Sequence, residues 1–172
     1  MVDVEQVRFQ KQTAIWIAFR GTDVDPEEIG RRLNLVPTEW KHRRGDEVQR
    51  GGQTLSEPDG FCAFTSHAGV PRDEDFESHA GWLLDRLEPH AALIASWQAA
   101  GWNVRLTITT VTNARSDGPL VSPNTLLRLA HLGVPTLWKT AHIPEHAGLN
   151  GADPMVPGGD GGVTSATPKT SP

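Results

Sequence analysis

The hydrophobic positions along this chain change period several times, and each change predicts an element. Ala14–Phe19 (AIWIAF) is apolar on both faces, as a central strand should be. Asn103–Thr112 (NVRLTITTVT) alternates instead, with Val104, Leu106 and Ile108 on one face, which predicts a second strand. Between them Phe76, Ala80, Leu83, Leu84, Leu87, Ala91, Ile94 and Trp97 recur at three- and four-residue spacing. They predict one long helix over 75–100, with Gly101 as its stop. Pro89 lies off the stripe while the stripe keeps register across it, so the helix is expected to kink rather than break.

Shorter elements are marked by their ends. Asp25-Pro26-Glu27-Glu28 opens a short helix, with Asp25 as cap, Pro26 in the first turn and Glu28 completing a capping box. Ser122-Pro123 opens another. Thr38–Arg44 (TEWKHRR), Gly60–Ser66 (GFCAFTS) and Pro135–His142 are expected as strands.

Two of these stretches match each other. Val24–Lys41 and Val121–Lys139 align with one gap opposite Gly133 and agree at 9 of 18 positions, among them Pro26/Pro123, Arg31/Arg128, Pro37/Pro135, Thr38/Thr136, Trp40/Trp138 and Lys41/Lys139. Each copy comes after a strong strand, so the repeated unit is strand, helix, strand. The expected fold is an α/β (α+β) two-layer sandwich with a mixed sheet of about five strands. A pseudo-twofold relates its halves and the long kinked helix covers the sheet, in a ferredoxin-like or related arrangement. Residues 5–143 form the single domain. From 144 to 172 the chain is rich in Gly and Pro and poor in large apolar residues, which predicts a disordered tail.

Composition narrows the function. A formal charge of −5 argues against nucleic acid as the natural partner, since such proteins usually carry a basic excess. Cys62 is the sole cysteine, which excludes an intrachain disulfide and suits a reducing, cytoplasmic setting. The opening MVDVEQVRFQKQ does not read as a secretory signal, and no apolar run is long enough to span a membrane.

Phe19–Pro26 (FRGTDVDP), Val36-Pro37-Thr38, Arg44-Gly45-Asp46, Trp82-Leu83-Leu84, Leu87-Glu88-Pro89 and the Ser122-Pro123 helix ending in Leu-Gly come in an order that resembles the bacterial domain-of-unknown-function family 4279, over about Thr13–Ile143. The resemblance implies a fold and carries no catalytic pattern.

Candidate chemistry is sparse. The basic run Lys41, Arg43, Arg44 and Arg50 is interleaved with Trp40 and His42, and on a strand Trp40, His42 and Arg44 would share one face. Such a surface suits an anion, an acidic partner or a stacked base, and a solvated hairpin is the plainer reading. Trp138 and Lys139 hold the matching place in the second half, and the two tryptophans are expected in equivalent packing sites. A Trp exposed beside a lysine would instead mark a partner groove. Arg20 and Asp23 flank the loop after the first strand, where a ligand pocket would form. The histidines are scattered; His79 is read as an exposed partner of Asp75, and Cys62 as a buried, inert thiol. No catalytic set, metal site or cofactor is predicted.

The sequence therefore points to a non-catalytic binding module with a protein partner, an immunity-type role being one form that size and architecture allow. A second reading is a small-ligand protein or enzyme at Arg20 and Asp23. A third is single-stranded nucleic acid on Trp40 and Arg44.

Overall fold

The computed structural model describes residues 12–112 and 119–142; the expected tail from 144 onward lies outside them. Its elements are β1 (Gln12–Gly21), α1 (Pro26–Leu33), β2 (Glu47–Arg50), β3 (Gln53–Ser56), β4 (Gly60–Thr65), α2 (Phe76–Leu87), α3 (Ala91–Ala99), β5 (Asn103–Thr112), α4 (Pro123–Leu132) and β6 (Thr136–His142). The main sheet has the order β4-β1-β5-β6, and β2-β3 is a separate hairpin. β1 pairs antiparallel with β4 and β5, while β6 runs parallel to β5 after the α4 crossover.

Alternation along the strands builds two different faces. Ile15, Ile17 and Phe19 from β1 join Cys62 and Phe64 from β4, and Val104, Leu106 and Ile108 from β5, in the core beneath the helices. Phe19 sits edge-on to both Phe64 and Trp97, with ring centroids 6.0 and 5.5 Å away. The opposite face carries a smaller cluster of Ala14, Trp16, Ala63 and Val111, with Ala18, Trp40, Phe61 and Ala141 packed on it. Among the described residues every α-helix contributes to the first face and none to the second.

The long helix forms as the apolar stripe predicts. α2 and α3 join through one 3-10 turn, Glu88–His90, which contains Pro89. Pro89 has no N–H to donate back along the helix, so one turn tightens and the stripe continues. Asp25 caps α1 by accepting from the Glu27 and Glu28 N–H groups at 3.0 and 3.2 Å. Ser122 caps α4 by accepting from the Thr125 N–H at 3.1 Å. Glu28 does not close a capping box, because its carboxylate is taken by Arg31 and Arg32 on the next turn.

The halves part company where each helix ends. α1 stops after 8 residues at Asn34 and α4 after 10 at Gly133, both of those caps being left-handed. α4 leads directly into β6, whereas α1 does not lead into the expected Thr38–Arg44 strand. The Thr38 N–H bonds to the Ala63 carbonyl, and His42 exchanges both bonds with Phe61. Those two contacts are out of register, because between them the Lys41 N–H turns back to the Glu39 carbonyl. The segment therefore lies along the outer edge of β4 as a single bridge, and the main sheet has four strands instead of about five. Neither this order nor its one parallel pair establishes a ferredoxin-like arrangement. The Gly51-Gly52 pair, with φ of 57° and 81°, makes the two-residue turn between β2 and β3.

Candidate functional site

Two of the four cations in the basic run are met by acids from α1 and its cap. Lys41 Nζ meets Glu27 at 2.9 Å. Arg43 reaches Glu27 at 2.6 Å and Asp25 at 3.2 Å. The Arg43 guanidinium, with the Glu28 N–H behind it, holds the Asp25 carboxyl below its ordinary range. Asp25 is thus a cap and an ion-pair partner together. Arg44 is exposed and has no ion pair among the described residues, and Arg50 closes β2.

The aromatic members of the run go elsewhere. Trp40 stacks on Trp16 across the sheet face that lacks helices, with centroids 5.7 Å apart. His42 stacks on Phe61 at 5.6 Å, and its Nε2 lies 3.5 Å from a carboxylate oxygen of the buried Glu57. Phe61 and Trp40 pack on the same helix-free cluster, so Trp40 and His42 both lie toward that side of the sheet, with Arg44 exposed two residues on. Arg20 pairs with Asp59 at 3.2 Å at the end of β1. Asp23 is exposed in the turn after that strand.

One polar cluster was not legible in the sequence. Ser66 Oγ accepts the Ile15 N–H at 3.0 Å and lies 2.8 Å from His79 Nδ1. His67 Nε2 donates to the Thr13 carbonyl at 2.9 Å, and the two imidazoles meet edge-on at 5.5 Å. His79 is fully buried rather than an exposed partner of Asp75, whose carboxylate caps α2 on the Ser78 N–H. Burial, reinforced by His67, pushes the His79 imidazole down to about 4. Both Ser66 and His79 are closed to solvent, so the pair bolts β1 to α2 and offers no nucleophile to a substrate. Burial likewise pushes the Cys62 thiol up to about 12 and keeps it protonated.

The exposed surface concentrates around α4 and β6. Five of the large apolar side chains left open to solvent, Leu120, Leu126, Leu127, Leu137 and Trp138, come from this unit or its approach. Trp138 leans on Phe76 at 5.5 Å yet remains 42% exposed, and Lys139 beside it is exposed as well. Trp138 sits on the helix side of the sheet, opposite to Trp40, so the two tryptophans are not in equivalent places. α4 itself is firmly seated. Glu77 accepts from the Ser122 N–H at 2.6 Å and from the Thr125 hydroxyl at 2.5 Å. Arg128 bonds Asp85 at 2.6 Å and both oxygens of Glu88 at 2.8 Å.

A family model described as a domain of unknown function, DUF4279, matches residues 11–140. The chain belongs to this family. The match spans β1 through most of β6, so the DUF4279 unit includes the caps, the long helix and the exposed α4–β6 surface. No curated protein and no solved structure matches the chain. Among the described residues of this DUF4279 chain, no three His, Cys, Asp or Glu side chains converge as a metal site would need. No helix there is long and apolar enough to cross a membrane.

Proposed function

We propose that this chain is a non-catalytic binding module whose partner is another protein. The observation that supports it is the set of exposed apolar side chains Leu126 and Leu127 on α4 and Trp138 on β6, carried by a helix that ion pairs and hydrogen bonds fix in place and by the strand beyond it. A rigid platform with open aromatic and aliphatic side chains is the usual make-up of an interface centre. An exposed Trp next to a lysine is also the arrangement that separates a partner groove from core packing. The buried, protonated Cys62 suits work in the cytoplasm. Matching caps on α1 and α4 support reading the domain as two related halves.

The test compares capture by the full chain with capture by the Leu126→Glu/Leu127→Glu double variant, read by quantitative mass spectrometry. Both positions are exposed, so circular dichroism should show an unchanged fold. A partner held by the wild type and lost by the variant is the expected result. Identical captured sets would refute the reading.

A further inference from the structure

We infer that the free edge of β6 is where the partner docks, by adding an extended acidic peptide segment as a further strand beside it. This rests on the protein-binding reading above and names its mode.

The backbone defines the edge. β6 pairs with β5 on one side and, among the described residues, with no strand on the other. The Leu106 N–H bonds to the Pro135 carbonyl, and Leu106 sits opposite Thr136. In a parallel ladder the odd-numbered residues of β6 therefore aim at β5, and Thr136, Trp138 and Thr140 turn their N–H and C=O groups outward. Such a row of open donors and acceptors is a template for an incoming strand. Side chains on both faces border it: Trp138 lies on the helix side, Leu137 on the opposite face, and both are exposed.

Charge selects the occupant. The chain carries −5 overall, yet from 119 to 142 it has no Asp or Glu at all. Of the cations there, Arg128 is already bound to Asp85 and Glu88, while Lys139 at the middle of β6 is exposed. An acidic strand complements that edge. A second copy does not, because full antiparallel self-pairing of Thr136–His142 sets Lys139 directly against its own copy, and like charges in that position repel.

The experiment uses the full chain and three fluorescein-labelled probes: an alternating Val-Glu octapeptide, its Val-Lys counterpart, and the Val-Glu peptide N-methylated at every second residue. Fluorescence anisotropy gives affinity, and amide hydrogen exchange by NMR locates binding. The Val-Glu peptide should bind at least about fivefold more tightly than Val-Lys. It should slow exchange at Thr136, Trp138 and Thr140, whose amides exchange freely without it. Lys139→Glu should reverse the preference, and N-methylation on the bonding edge should abolish binding. Equal binding of the two charges, or protection confined to other elements, overturns the inference. So does protection of those three amides without peptide together with a dimer in sedimentation, since the occupant is then a second copy. If Leu126→Glu/Leu127→Glu loses its captured partner while no peptide protects β6, the binding reading stands and strand addition falls.

Discussion

Ser66 Oγ lies 2.8 Å from His79 Nδ1, inside a core where neither side chain reaches solvent. The hydroxyl accepts from the Ile15 amide on β1, so one side chain with two hydrogen bonds ties the central strand to the long helix through the turn after β4. Burial makes a charge on His79 costly, so the folded imidazole is held neutral.

Acid should therefore loosen the fold early. The folded imidazole takes its proton near pH 4, against 6.5 for the free side chain. Between those values the unfolded chain binds more protons, so stability rises with pH in this window. The contribution is fully present above pH 6.5 and is lost as pH falls toward 4. Urea unfolding should show a loss of about 2 kcal/mol between roughly pH 7.5 and 5, above the range where the carboxylates titrate. In His79→Gln that slope should flatten, and a slope unchanged from wild type would refute the assignment.

Asp25 and Arg43 share an ion pair but should not share a phenotype. Asp25→Ala removes the α1 cap and should cost about 1 kcal/mol in urea unfolding. Arg43→Ala removes only exposed pairs with Asp25 and Glu27, and should leave the midpoint nearly unmoved. Equal losses would show that the ion network, not the cap, is what matters there.

Two glycines should respond in opposite directions. A Cβ on Gly60 would lie 2.2 Å from the Val24 carbonyl oxygen, on a strand paired in the ladder with β1. Gly60→Ala should cost about 3 kcal/mol or prevent folding. At Gly81, within α2, a Cβ meets nothing within 4 Å. Gly81→Ala should raise stability by about 0.5–1 kcal/mol, visible as a higher melting temperature.

Cys62 should resist alkylation. With its thiol buried and raised to about 12, iodoacetamide near pH ~8 should leave the native chain unlabelled and label it fully in urea. Rapid labelling of the native protein would mean that β4 opens locally.

Elements whose signals are local were legible in the sequence. The stripe from Phe76 to Trp97, the Asp25-Pro26 and Ser122-Pro123 helix starts, and the alternation of Val104, Leu106 and Ile108 each depend on neighbours within a turn or a strand. Family membership was legible for the same reason, since its landmarks are caps, turns and core positions.

Features that depend on a distant partner emerged only in the folded chain. Lys41 and Arg43 meet Glu27 across 14 and 16 residues, which pairs half of an apparent basic patch with acid. Trp40 and Trp138 share a motif but lie on opposite faces, because the Glu39–Lys41 turn deflects the first copy onto the edge of β4 while the second pairs directly with β5. His79 and Asp75 look like an exposed pair on one helix. Packing against Ser66, 13 residues earlier, buries the imidazole instead. Periodicity and capping are properties of short stretches of chain. Charge pairing, burial and sheet order arise only when segments far apart in sequence come into contact.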